Sequence, residues 1–100
     1  MTKKRAKTTT FPCNRYGAER VGEVLLKARL AKGWVLRDLR PHGICPGTAN
    51  HYESGLLNKY MNERVVSLLL QALEPLNQTT GQVWTLEEIK SLVTTSRQPH

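Results

Sequence analysis

The sequence predicts an all-α fold, a small bundle of about five helices. Apolar residues recur at three- and four-residue steps in several segments, glycine and proline separate those segments, and no segment reads convincingly as a strand. One hundred residues, 39% of them hydrophobic and only six aromatic, suffice for one modest core of leucine and valine. We therefore expect one folded domain over residues 17–95, between a flexible arm at 1–16 and a tail at 96–100.

The first sixteen residues are basic and show no apolar period, so we expect them to be disordered until something binds them. The charge of this arm comes mainly from Lys3, Lys4, Arg5 and Lys7. The pattern then changes, and an amphipathic helix is predicted from Ala18 to Lys32. Gly33 stands where helices commonly end in a left-handed residue, and Trp34 is expected to anchor the core.

Two short helices around a turn are predicted next. Val35 to Arg40 can form only a short helix, because Pro41 disfavours helical geometry at Arg40, and the turn is expected at Pro41 to Cys45. Pro46 suits the first position of a second helix, which should run to about Ser54 and end at Gly55.

Two further helices are predicted after a loop at Leu56 to Tyr60. Asn62 can cap the first, whose wide apolar face should be mostly buried and which Pro75 stops. Residues 77–82 are polar and are expected to connect rather than pack. The last helix begins with a capping box formed by Thr85 and Glu88. It carries one apolar stripe, consisting of Leu86, Ile89, Leu92 and Val93.

Charge is unevenly placed along the chain, whose formal net charge is +7. Residues 1–40 hold eleven bases and three acids, whereas residues 41–100 hold four bases and five acids. A positive field concentrated in one half of a small protein is typical of nucleic-acid binders, because phosphate contacts release counterions from the polyanion. The alternative is a basic surface that only aids solubility.

Several classes of protein are disfavoured by the sequence. No apolar run approaches the roughly 18 residues of a membrane span, and no secretion signal is present, so we expect a cytoplasmic protein. Cys13 and Cys45 are expected to be free thiols; a zinc site with His42 and His51 has no CxxC or HxxxH spacing to support it. Without a glycine-rich phosphate loop or a nucleophile, histidine and carboxylate set, we expect neither an enzyme nor a bound cofactor.

A short helix, a glycine turn and a second helix, set between longer helices, form the helix-turn-helix arrangement. Over roughly residues 18–73 the sequence resembles the lambda-repressor-like, or Cro/XRE, class of DNA-binding domains. The resemblance rests on the turn Gly43-Ile44 and on Tyr52-Glu53-Ser54-Gly55, which is similar to the Tyr-Glu-x-Gly ending of that family's recognition helix. Lys32-Gly33-Trp34 is also similar to the family's Lys-Gly-Leu junction.

The sequence departs from the family's pattern at a few positions. The interval from Leu39 to Gly43 is one residue shorter than usual and contains Pro41, so the second helix should be truncated. Leu36 stands where the family often has a glutamine near a phosphate. Pro46 and Gly47 stand where many relatives carry long polar side chains that reach base edges.

The resemblance implies a sequence-specific duplex DNA-binding transcriptional regulator, in a prokaryotic or phage context. It also implies a structural ion pair between Arg29 and Glu53, and contacts to the DNA backbone by Arg37, Asn58 and Lys59. Helical spacing turns Gly47, Thr48, Asn50 and His51 largely to the other faces of the recognition helix, where they can reach bases. Together with Pro46 they are the candidate base-reading residues. The basic arm is expected to enter the minor groove or follow phosphates, with a solubilising tail as the alternative.

One recognition helix reads only a few base pairs, so we expect a homodimer on a two-fold operator. The stripe on the last helix is the candidate dimer interface, although it can equally cover the chain's own core. The alternative function is a protein-interaction module, such as an antitoxin or an adaptor, on the same helical fold. RNA binding is a further alternative, but no pair of stacking aromatic residues favours it.

Overall fold

A computed structural model of the chain describes residues 10–55 and 60–95. These ranges contain five helices and two short antiparallel strand pairs. In chain order the elements are β1 (Thr10–Pro12), α1 (Arg15–Ala31), a 3₁₀ helix (Leu36–His42), α2 (Pro46–Glu53), β2 (Tyr60–Asn62), α3 (Glu63–Leu73), β3 (Leu76–Asn77), β4 (Gln82–Val83) and α4 (Leu86–Thr95). The described chain is mostly helical, as predicted, but the strand pairs correct the all-α class.

Helix α1 forms the centre of the fold and begins three residues earlier than the apolar period suggested. Asn14 caps it, since its Oδ1 accepts a hydrogen bond of 2.6 Å from the Gly17 N–H. The predicted end is correct, because Lys32 terminates the helix and Gly33 follows with φ of 72°. The buried side of α1 packs into the core through Ala18, Val21 and Leu25.

Strands β1 and β2 join the start of the chain to the segment before α3. Phe11 pairs in register with Met61, and both side chains are buried. Residues 10–16 therefore belong to the folded domain rather than to the arm that we expected at 1–16. The four arm residues that carry its charge, Lys3, Lys4, Arg5 and Lys7, lie outside the described residues.

The 3₁₀ helix continues through Pro41, whereas the sequence predicted a turn beginning at that proline. Pro41 removes only its own donor, and the next amides still bond, with Gly43 N–H 2.9 Å from Arg40 O and Ile44 N–H 3.2 Å from Leu39 O. The turn is thus confined to Gly43, whose φ is 81°, and the residues before α2.

Helix α3 ends at Glu74, a non-glycine residue with a positive φ, and leads into a β-hairpin. Asn62 caps its start, accepting from Val65 N–H at 3.1 Å, and Glu74 ends it with φ of 49°. Beyond Pro75, β3 and β4 pair across residues 77–82, which we expected only to connect. Asn77 is buried and its Oδ1 accepts from Thr79 N–H at 2.9 Å, so this hairpin packs on the domain.

Helix α4 completes the core. Both halves of its capping box form, with Thr85 N–H 3.0 Å from Glu88 Oε1 and Glu88 N–H 3.2 Å from Thr85 Oγ1. Ile89 and Val93 have no exposed surface. A Cβ placed on Gly17 would lie 2.7 Å from Val93 Cα, so α1 and α4 approach this closely because Gly17 has no side chain.

The burial of α4 corrects the dimer interface predicted from its stripe. Ile89 and Val93 are core residues and offer nothing to a second copy. Leu86 and Leu92 are half-buried and pack against the same core. The apolar stripe of α4 therefore packs mainly against the core of its own chain.

Candidate nucleic-acid interface

Helix α2 is fastened to the domain along one side. Ile44, Ala49 and Tyr52 are buried, and Tyr52 Oη accepts a hydrogen bond of 2.9 Å from the Asn62 N–H at the end of β2. Burial raises the pKa of the Tyr52 phenol. These contacts fix the rotation of α2 about its own axis and decide which of its residues face outward.

Three hydrogen bonds from the Arg29 side chain hold the end of α2 to α1. Two go to the Glu53 carboxylate and one to the Trp34 carbonyl, and we call this set the Arg29 clamp. Arg29 Nε lies 2.7 Å from Glu53 Oε2 and Arg29 Nη2 lies 2.9 Å from Oε1, while Nη1 donates to Trp34 O at 2.8 Å. The two side chains are only 12% and 5% exposed. The hydrogen bond to Glu53 raises the pKa of Arg29, which favours the charged guanidinium.

Close backbone contact accompanies the clamp. A Cβ placed on Gly22 of α1 would lie 2.5 Å from Glu53 O and 2.9 Å from Tyr52 O. Only glycine permits this approach, because real Cβ atoms do not come so near a carbonyl oxygen. The backbone of the last turn of α2 therefore packs directly on α1, and the Arg29–Glu53 hydrogen bonds lie beside this contact.

The opposite side of α2 is uncovered. Gly47, Asn50 and His51 are exposed, and Pro46 and Thr48 are half-buried. Around Gly47 the space is open, since the nearest atom to a Cβ placed there would be Cys45 Sγ at 3.9 Å. The structure therefore brings all five predicted base-reading residues together on a helix with an accessible backbone.

The 3₁₀ helix adds positive charge next to the start of α2. Arg37 and Arg40 are exposed, and residues three apart in a 3₁₀ helix lie on the same side. Asp38 is engaged within the helix, since its Oδ2 accepts from Val35 N–H at 2.8 Å. Arg40 was not among the predicted site residues, although its three-residue spacing from Arg37 could have indicated it.

Cys45 stands at the junction between the turn and α2. Its thiol is exposed, and the backbone N–H groups of Thr48 and Gly47 lower its pKa, with a smaller contribution from the charge of Arg40. Cys13 is buried instead, and burial raises its pKa. In the described part of the chain, no three histidine, cysteine or acidic side chains stand close enough to hold a metal ion.

A stack of aromatic rings ties the 3₁₀ helix to the end of α1. The Trp34 and His42 ring centroids lie 5.2 Å apart at an interplanar angle of 25°, and Lys32 Nζ lies 5.1 Å from the Trp34 centroid. Trp34 also packs against the core. The last residue of the 3₁₀ helix is thus held by this stack, and its middle is held by the packing of Leu39.

Two of the residues predicted to contact the DNA backbone, Asn58 and Lys59, lie outside the described residues. Among the described helices, none combines the length and apolar character needed to cross a bilayer. No protein-family model, curated protein or solved structure matches the chain. The geometry of its own residues must therefore carry any functional inference.

Proposed function

We propose that this chain is a helix-turn-helix protein that binds specific duplex DNA sequences and regulates transcription. One observation carries the proposal. Helix α2 is fixed on one side by buried residues and the Arg29 clamp, while its other side is polar and uncovered, and the 3₁₀ helix that packs with α2 carries the exposed Arg37 and Arg40. A rigid, accessible helix beside exposed cations is what insertion into a DNA major groove requires.

Each exposed position has a role in this proposal. Asn50 forms two hydrogen bonds to an adenine, and Thr48 and His51 bind base edges or phosphates. Gly47 allows the helix backbone to approach the groove wall. Arg37 and Arg40 bind phosphates, which sets the register of α2 along the duplex.

The basic arm and the loop after α2 complete the proposed surface. We place Lys3, Lys4, Arg5 and Lys7 in the minor groove or along phosphates, and Asn58 and Lys59 on the DNA backbone. Support comes from the β1–β2 pairing, because β1 directly follows the arm and β2 directly follows the loop. Deleting residues 1–9 should lower affinity for all sequences alike and reduce the slope of log K against log salt.

Binding-site selection on random duplexes, followed by fluorescence anisotropy, tests base reading. The Thr48→Ala/Asn50→Ala/His51→Ala variant should lose preference for the selected site, at about 1 to 3 kcal/mol for each base contact removed. The matched control is Gln71→Ala/Gln82→Ala, which changes exposed polar residues outside α2 and outside the groove beside α1. A triple variant that keeps the wild-type preference would assign base reading to another element.

The salt dependence of binding to a duplex of unselected sequence tests the phosphate contacts. Arg37→Ala/Arg40→Ala should reduce the slope of log K against log salt by about 0.9 for each lost contact. Arg64→Ala is the control, since Arg64 is exposed on α3 and lies neither on α2 nor on the 3₁₀ helix. Equal slopes for the two variants would remove the 3₁₀ helix from the proposed interface.

A protein-interaction module of antitoxin or adaptor type remains the second candidate, because an open groove lies beside α1. Retention on duplex DNA that falls with rising salt, compared with retention on single-stranded RNA, distinguishes DNA binding from both alternatives. Retention on neither nucleic acid would favour the interaction module.

A further inference from the structure

An open groove of about 1070 Å³ lies beside α1. Helix α1 forms one wall, and the end of α3, the β3–β4 hairpin and α4 form the other. The apolar part of the lining comes from both walls and consists of Val24, Ala28, Leu73, Trp84 and Leu92. An apolar groove of this volume is of the size that binds small organic molecules, about 300 to 1,000 Å³.

The hairpin wall of the groove carries N–H groups that lack acceptors. Asn77 lines the groove and is only 8% exposed; its Oδ1 accepts from Thr79 N–H at 2.9 Å, while no described residue accepts from its Nδ2. Within the described ranges no fully buried side-chain polar atom lacks a partner, so this nitrogen is still reached from outside. The Trp84 indole N–H also has no acceptor among the described residues. Both groups are donors, so they select a ligand with acceptor atoms.

The α1 wall adds positive charge that no carboxylate neutralises. Arg20 and Lys27 are exposed on the side of α1 that lines the groove, and neither pairs with an acidic side chain of the described residues. The two carboxylates of the lining are already engaged. Glu74 lies 3.6 Å from Lys32, and Glu88 caps α4. The charge that remains available to a ligand is therefore positive.

We propose that this groove binds a small organic anion, a planar apolar molecule that carries a carboxylate. The apolar body packs against Trp84 and Leu92, and the carboxylate accepts a hydrogen bond from Asn77 Nδ2. Arg20 and Lys27 favour the negative charge from the opposite wall. An organic cation would be repelled by these two residues, and a hydrocarbon would leave the Asn77 amide without an acceptor.

The size of the groove also favours a small molecule over a second protein. Stable protein interfaces bury roughly 800 Å² on each partner, which is more surface than the groove exposes. A ligand of two fused rings needs only the apolar lining and the few polar groups beside it.

The groove lies on the side of α1 that faces away from α2. Val24, Lys27 and Ala28 line the groove, whereas Gly22 and Arg29 lie on the other side of the helix and contact α2. A ligand in the groove therefore leaves the outer side of α2 uncovered. Binding of the anion does not depend on the proposed DNA binding.

Titration of isotope-labelled protein with naphthoate, followed by proton–nitrogen correlation spectra, tests the site. The signals of the Trp84 indole N–H and of the Asn77 side-chain amide should shift together and saturate, with a dissociation constant of about 1 mM or below. The Trp34 indole signal is the internal control, because Trp34 does not line the groove. Naphthamide, the neutral analogue, should bind about fivefold more weakly, because the α1 cations do not attract it.

Two matched pairs of variants test the lining. Lys27→Gln should weaken naphthoate binding about threefold and leave naphthamide binding unchanged, whereas Arg64→Gln, an exposed change on α3, should alter neither. Leu76→Glu should weaken naphthoate binding about tenfold, because it places a like charge at the edge of the groove. Its control is Leu30→Glu, since Leu30 is 59% exposed on α1 and does not line the groove. Thermal unfolding verifies that each variant is folded.

Shifts that do not saturate, shifts at Trp34 as large as those at Trp84, or equal affinities for naphthoate and naphthamide would each overturn the proposal. A wild type that binds no naphthoate and forms dimers that Leu76→Glu dissociates would assign the groove to a second copy of the chain. Because naphthoate binding is measured without DNA, its absence leaves the proposed DNA binding standing. Failure to select a duplex likewise leaves the anion site standing.

Discussion

Helices α2 and α4 are similar in length, and the sequence assigned a recognition role to each, but the domain uses them differently. Helix α2 meets α1 at Gly22 and through the Arg29 clamp, so its contact with the domain is partly polar. Helix α4 meets α1 at Gly17 and buries its apolar stripe, with Ile89 and Val93 fully enclosed. The outer side of α2 stays uncovered.

The difference shows what an amphipathic pattern can indicate. Apolar residues at helical spacing predict burial, and in α4 the burial is satisfied within the chain itself. For α2 the informative residues are those that do not pack in the core: a glycine, a proline and polar side chains. The recognition role that we propose for α2 depends on its uncovered polar side and not on an apolar stripe.

The largest expected difference between α4 and α2 is in how much a substitution lowers the free energy of unfolding. Ile89→Ala should lower the free energy of unfolding by about 2 to 5 kcal/mol, because it leaves a cavity in the core. Asn50→Ala, on the exposed side of α2, should change it by less than about 0.5 kcal/mol. Urea titrations of both variants check this contrast, which fails if the two midpoints shift alike.

Breaking the Arg29 clamp should have the next largest effect. Glu53→Ala leaves the Arg29 guanidinium mostly buried without its partner and should cost about 3 kcal/mol. Glu23→Ala removes an exposed carboxylate from the same helix as Arg29 and serves as the control. Thermal unfolding measures both, and a Glu53→Ala variant as stable as the control would mean that α2 is held by its apolar side alone.

Two glycine substitutions sharpen the comparison further. Gly22→Ala forces a methyl group against the backbone of α2 and should cost about 1 to 3 kcal/mol. Gly47→Ala meets open space and should stabilise the domain by about 0.5 to 1 kcal/mol, since alanine favours the helix. The same Gly47→Ala variant should weaken DNA binding if the backbone of α2 approaches the groove, so stability and binding would change in opposite directions.

The smallest effect concerns the two thiols. Cys45 is exposed and its lowered pKa supplies more thiolate at neutral pH, whereas Cys13 is buried and its pKa is raised. Iodoacetamide should therefore modify Cys45 first in the folded protein, and denaturant should remove the difference. Mass spectrometry of timed samples checks the order; prior modification of Cys13 would mean that the β1 end of the domain opens readily.

Local signals predicted much of the fold. Gly33 and Gly55 mark the ends of two helices, while Asn62 and the Thr85–Glu88 box mark the starts of two others, because capping depends on neighbours in sequence. The Arg29 and Glu53 side chains, expected to pair by resemblance, lie together in the structure. The residues placed on the outer side of α2 followed from helical spacing.

What the sequence did not predict depends on distant partners. Strands β1 and β2 have only three residues each and are stabilised by pairing with each other. No local sequence period therefore predicts them. Glu74 adopts a left-handed conformation that its residue type does not suggest. The burial of Ile89 and Val93 depended on Gly17, whose importance appears only once α1 and α4 are packed.

The pairing of Phe11 with Met61 has a consequence for how the domain is made. Phe11 leaves the ribosome early, but its strand partner comes much later, and Lys90, whose Nζ lies 5.7 Å from the Phe11 ring centroid, comes later still. Closing such long loops must precede the contacts that reward it, which slows folding. A nascent chain therefore holds β1 unpaired until β2 has been synthesised, and β1 is among the last parts of the domain to pack.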